Sequence, residues 1–164
     1  MSRLMSFART EASFLDGSKT MTRRLGWWVD KNGRRLLLPG NRVTGCRNVM
    51  GRKPGEPLIR LGEALVTDVY RQPLAQITDD DVRREGVPAA CFEELYDDTG
   101  QPPTWEWVRW FCEERGCNPF VEVTVIEFHR VPPLPHPRTG EVSCEDWCLA
   151  QCQGLCGDTV EGRP

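Results

Sequence analysis

DGSKTMTRR, residues Asp16 to Arg24, packs a glycine, a lysine, two threonines and two arginines into nine positions. The stretch before it, RTEASFLDG, has the spacing of a short helix, with Thr10 as N-cap, Phe14 and Leu15 on the buried side and Gly17 as a left-handed stop. Lys19 then lies on the exit from that helix. TMTRRL follows with the alternation of a strand, which sets Thr20, Thr22 and Arg24 on one face. Parity constrains what these residues can do together. A strand that already included Lys19 would turn Lys19 and Thr22 to opposite sides, so a working pair requires Lys19 to sit in the turn. In that arrangement a threonine hydroxyl, a weak nucleophile, gains a neighbouring base, because a lysine stripped of water loses its proton near neutral pH. The plainer reading is ordinary surface chemistry behind a glycine stop.

Outward from this stretch, the chain reads mainly as β structure. GRRLLLPGNRVTGC predicts a hairpin turning at Pro39-Gly40, and PLIRLGEALVTDVYRQPL predicts two strands bent near Gly62. ITDDDVRREG opens with a Thr78/Asp81 capping box and closes on Gly86, giving a short helix whose last residue is Glu85. TWEWVRWFCEERG reads as a helix with Val108, Phe111 and Cys112 inward, and FVEVTVIEFHRV as a strand with valine on alternate positions.

A chain of 164 residues with 39% hydrophobic content suits one domain with an added tail. The domain is expected over 1–131, and 132–164 reads as a proline-rich linker and a cysteine-rich extension. No apolar run approaches the roughly 20 residues of a membrane span, and MSRLMSFART lacks the apolar core of a secretory signal, so the expectation is a soluble, cytoplasmic protein with no membrane partner. The net charge of −3 conceals a polarity along the chain. Residues 1–60 hold 13 Lys/Arg against 4 Asp/Glu, or +9, and the remainder holds 8 against 20, or −12. A basic half carrying Arg23, Arg24, Arg34, Arg35, Arg42, Arg47, Arg52 and Lys53 favours a phosphate-bearing partner. Internal pairing with the acidic half is the competing explanation.

With these elements in place, the sequence resembles the ASCH family, small β-barrel domains of the PUA-like superfamily, related to the RNA-binding domain of pseudouridine synthases. GSKTMTRR fits the family pattern of glycine, any residue, lysine, any two, threonine, any residue, arginine, with Gly17, Lys19, Thr22 and Arg24 on the fixed positions. PLAQITDDDVRREG resembles the family's acidic segment before a glycine and places Glu85 at its functional glutamate, while LLLPGNRV and FVEVTVIEFHRV resemble its turn and closing strand. The resemblance spans about Met5 to Val131. It implies an α+β, PUA-like barrel with short flanking helices. It also implies, from the amidohydrolase branch, that Lys19, Thr22 and Glu85 hydrolyse the acyl amide of N4-acetylcytidine. The long segment between Arg24 and Glu56 and the tail beyond Pro132 depart from the smallest family members.

Around that set, Arg23 and Arg24 are expected to hold a phosphate or a base carbonyl, and Trp27 or Trp28 to stack a base. Gly17, Arg47, Arg52 and Lys53 complete the candidate binding surface, with Met50 lining the pocket or packing beneath it. One of the two tryptophans is equally suited to capping the barrel core. The expected partner is RNA, single-stranded nucleic acid or a modified nucleoside. Three activities follow: hydrolysis of an acylated cytidine, non-catalytic reading of nucleic acid, and cleavage of single-stranded RNA by Lys19 and Glu85 acting as acid and base.

No cofactor is required by this chemistry. The tail SCEDWCLAQCQGLCG carries Cys144, Cys148, Cys152 and Cys156 at four-residue intervals, a stripe on one helix. Such a stripe spans roughly 18 Å, so four thiolates meet one zinc only if the helix breaks near Gly154. Neighbouring pairs, or a pair joined to Cys112 and Cys117, remain possible zinc ligands, and a buried face of small hydrophobic cysteines is the alternative. His129, in a strand, and His136, between prolines, are too isolated to form a catalytic pair.

Overall fold

The computed structural model describes residues 3–26, 28–95 and 100–132. Among these residues five strands, β1 (Arg3–Ser6), β2 (Met21–Leu25), β3 (Arg42–Cys46), β4 (Arg60–Pro73) and β5 (Glu122–Val131), form one curled sheet in the order β1-β3-β4-β5-β2. β1 runs parallel to β3, and the other neighbours are antiparallel. Among the described residues three α-helices flank it: α1 (Glu11–Asp16), α2 (Asp79–Glu85) and α3 (Thr104–Arg115). This is the half-barrel form of the expected small α+β barrel. Its two edge strands, β1 and β2, are tied by a side chain, Arg24 Nη2 donating to the Ser6 carbonyl at 2.6 Å. No helix among the described residues is long and apolar enough to cross a membrane.

The sheet is buried on both faces. In β5, Val123 and Val125 join Met21, Val82, Trp107 and Phe111 under α2 and α3, while Ile126 and Phe128 join Phe7, Phe14 and Val43 under α1. The alternating valines therefore mark only one of two apolar faces. Thr22 pairs with Ile126 and Arg24 with Thr124, so the even positions of β2 look toward the α1 side. Arg23, opposite Val125, looks toward α2 and α3.

Two expected elements differ. Pro39 and Gly40 do form a turn, closed by Asn41 N donating to Leu38 O at 3.0 Å, but no hairpin follows. The segment ahead of the turn makes one isolated bridge, Val29 with Arg35, and β3 pairs instead with β1 and β4. β4 is a single strand of 14 residues rather than two, because the bend is absorbed by register shifts between Val66 and Asp68 and opposite Gly62. α2 matches its expected bounds, with the Thr78/Asp81 capping box and the Gly86 stop both formed.

The α1 layer rests on close aromatic packing. Phe7 and Phe14 stack with centroids 4.4 Å apart, and a Cβ at Gly45 of β3 would lie 2.6 Å from two carbons of the Phe14 ring. Gly45→Ala is accordingly expected to destabilise the fold by about 1–3 kcal/mol, as overpacking in a filled core does. A thermal melt checks this, and an unchanged midpoint would show that the aromatic stack has room to shift.

Candidate functional site

Lys19 is carried into the interior by the meeting of two helix ends. Past Gly17, Lys19 N donates to Ser13 O at 2.8 Å and Thr20 N to Arg84 O at 3.0 Å, which pins the turn between α1 and β2 to both helices. Gly86 closes α2 at a φ of 62°, and a Cβ there would lie 2.7 Å from Ser13 Cβ and 3.2 Å from Lys19 Cβ. A glycine is needed for this approach, and the approach brings Glu85 alongside Lys19. The Ser13 hydroxyl fastens the contact by donating to Gly86 O at 2.6 Å. Lys19 thus sits in the turn, on the arrangement that parity requires.

The Lys19 side chain is 2% exposed, and its Nζ donates to the Glu85 backbone carbonyl and to Glu85 Oε2, the latter at 3.2 Å. Glu85 Oε1 accepts from Arg23 Nη1 at 3.2 Å, and Arg23 Nη2 donates to Asp81 Oδ2 at 2.9 Å and Gln72 Oε1 at 3.2 Å. Two cations and two carboxylates therefore neutralise one another beneath α2. Burial holds the Lys19 amine below its ordinary value of 10.5, the Glu85 carboxylate opposes that shift, and Arg24 and Arg23 reinforce it.

Above this network opens a cleft of about 550 Å³, within the roughly 300–1,000 Å³ usual for small-molecule sites. Lys19, Thr22, Arg23, Arg24 and Glu85 all line it, with Phe7 and Trp28 on one side and Trp107, Trp110 and Phe111 of α3 on the other. The Thr22 hydroxyl makes no hydrogen bond to another described residue. Arg24 is drawn down to about 10 by burial and by the nearby Arg115, with Glu85 opposing, and so remains charged at neutral pH. Arg23 borders the cleft, yet both its terminal nitrogens are engaged by Glu85, Asp81 and Gln72, and only its Nε lacks a partner among the described residues, which makes it a brace for the network.

The other expected ligand contacts fall elsewhere. Arg47 makes a two-point ion pair with Glu11 on the surface, through Nε at 2.7 Å and Nη2 at 2.8 Å. Arg52 and Lys53 are exposed and border no part of the cleft, and Gly17 serves as the α1 cap. Met50 lines the cleft while 87% exposed. Trp27, Cys144, Cys148, Cys152, Cys156 and His136 lie outside the described residues. Cys112 and Cys117 neighbour each other, and no group of three or more His, Cys, Asp and Glu able to hold a metal occurs among the described residues. Internal pairing accounts for part of the charge split along the chain: Arg9 with Glu114, Arg42 with Glu63 and Arg23 with Asp81 each join the basic half to the acidic half.

Trp107, Trp110 and Arg115 were not among the expected site residues. Their signal was present, since 107, 110, 111, 114 and 115 form one i, i+3, i+4, i+7, i+8 stripe on α3.

The sequence matches no family model and no curated protein. Among solved structures, the chain is similar to a protein from Enterococcus faecalis V583 described under family model DUF984, at 16% identity over 80% of each chain with a TM-score of 0.54. That likeness is one of fold. The G-x-K-x-x-T-x-R motif sits at the entry to β2 of this curled sheet. The curled five-stranded sheet with short flanking helices agrees with the expected small α+β barrel. An ASCH domain from Lactobacillus crispatus JV V101 aligns more loosely, at 18% identity over 77% of each chain with a TM-score of 0.46.

Proposed function

We propose that the cleft receives a nucleobase-bearing ligand and that Lys19, Thr22 and Glu85 hydrolyse an acyl amide on it, with N4-acylated cytidine as the substrate class. The observation that carries this reading is the buried Lys19 amine, held below its ordinary pKa on the wall of a cleft that also presents a threonine hydroxyl with no hydrogen bond to another described residue. In the proposed reaction Lys19 takes the Thr22 proton as Thr22 Oγ bonds to the acyl carbon. The carbon–nitrogen bond then breaks, its electron pair goes to N4, and Lys19 returns the proton there to release cytidine. Water hydrolyses the acyl-threonine to the carboxylic acid. Glu85, with both oxygens engaged, orients Lys19 rather than acting on the leaving group. The aromatic side chains of the cleft supply the stacking surface for the base.

A second reading is a non-catalytic nucleic-acid reader. It is favoured by the donation of Lys19 Nζ to two Glu85 oxygens, which suits an ammonium held as a charged clamp. Incubating the chain with N4-acetylcytidine and with single-stranded RNA, followed by mass analysis of both, separates the cases. Loss of the acyl group from the nucleoside is the expected result. Binding with both compounds intact would favour the reader, and shortened RNA would indicate a ribonuclease.

A further inference from the structure

The charges that line the cleft do not cancel. Arg9 pairs with Glu114 at 2.8 Å, while Lys19 and Arg23 share Glu85, Arg23 also holding Asp81. Arg24 and Arg115 are left over, with no carboxylate within ion-pair distance of either among the described residues. Arg24 gives Nη2 to the Ser6 carbonyl, a neutral acceptor, and its Nε is buried with no acceptor among the described residues. Arg115 is exposed at the end of α3, its guanidinium carbon 6.0 Å from the centroid of the Phe111 ring. Two like charges are thus held toward one cleft beside aromatic walls, without the anion that would offset their repulsion.

We infer that Arg24 and Arg115 form an anion subsite that takes a phosphate group of the ligand, so that the cleft selects a nucleotide, free or within a strand, over an uncharged nucleoside. The inference rests on the reading that a nucleobase occupies the cleft and adds Arg115 as a specificity residue. The match is chemical. A guanidinium presents planar paired donors suited to phosphate oxygens, and a phosphate monoester carries about −1.5 to −2 charges, close to the uncompensated +2 of the two arginines. Arg24 is lowered first by burial and then by the charge of Arg115, and a bound phosphate would offset that second contribution.

Calorimetric titration of the full chain at low salt with cytidine, cytidine 5′-monophosphate, a cytidylate tetramer and inorganic phosphate tests this, on the wild type and on Arg115→Gln. The phosphorylated ligands are expected to bind roughly tenfold or more tightly than cytidine, as hydrogen bonds to a charged group do, and the gap should close in Arg115→Gln. A tetramer tighter than the monophosphate assigns the phosphate to a strand, and equal affinities assign it to the mononucleotide. Equal binding of cytidine and its monophosphate overturns the subsite while leaving the nucleobase reading in place. Binding of inorganic phosphate lost in Arg115→Gln, with every cytidine ligand failing, keeps the subsite and removes the nucleobase. A gap that persists in Arg115→Gln, or no binding of any ligand, overturns the inference.

Discussion

Glu85→Ala is expected to remove about 3–5 kcal/mol of folding stability, the usual consequence of stripping one partner from a buried ion pair. That is a large share of the roughly 5–15 kcal/mol that holds a domain together. Glu85 is 4% exposed and serves two cations at once. Without it, Arg23 retains Asp81 and Gln72, whereas Lys19 retains the backbone carbonyl at position 85 and the face of the Phe7 ring, 5.8 Å away, but no carboxylate among the described residues. The loss should therefore centre on Lys19, and Lys19→Met combined with Glu85→Ala should lose less than the two single changes added together. Urea unfolding midpoints check this, with strict additivity as the outcome that would dissolve the pairing argument.

The sign of the pH effect follows. Lys19 in the fold has a pKa below its unfolded 10.5, so the native state releases its proton first as pH rises. Below the folded value both states are charged and the burial penalty is complete. Between the folded value and 10.5 the unfolded chain binds more protons, so stability rises with pH through that window. Glu85→Ala lowers the folded value further and widens the window downward.

The parts of the fold that announce themselves locally were legible in the sequence. Thr78, Asp81 and Gly86 bracket α2 because a cap and a left-handed stop are satisfied within a few residues of chain. The placing of Lys19 in the turn was legible as a condition, by parity. β4 was not legible as one strand, since the bulge at Val66/Asp68 that lets it bend depends on its pairing with β5, far away in sequence. Arg47 shows the same limit at the site. Its charge suggested a ligand contact, but only the packing of α1 beside β3 reveals Glu11 as its partner. Conversely, the α3 stripe of Trp107, Trp110 and Arg115 was readable as a helix face, and what it faces became visible only with the β2 edge in place.

Thr22→Val is expected to abolish acyl-amide hydrolysis, lowering kcat by roughly 10³-fold or more with KM little changed, because it removes a group that bonds to substrate only during reaction. Valine matches threonine in shape and suits the strand, so the fold and the pairing with Ile126 should persist. Thr22→Ser keeps the hydroxyl and should keep measurable turnover. The base predicts a second signature. Lys19 must be neutral to accept the Thr22 proton, so the rate should rise with pH along a limb whose pKa lies below 10.5. Arg24 contributes to lowering Lys19, and Arg24→Gln should therefore move that limb toward higher pH, even where it also weakens binding. Steady-state rates on N4-acetylcytidine across pH measure both effects. Full turnover in Thr22→Val would exclude Thr22 as the nucleophile, and a limb that stays fixed in Arg24→Gln would exclude Lys19 as the group that titrates.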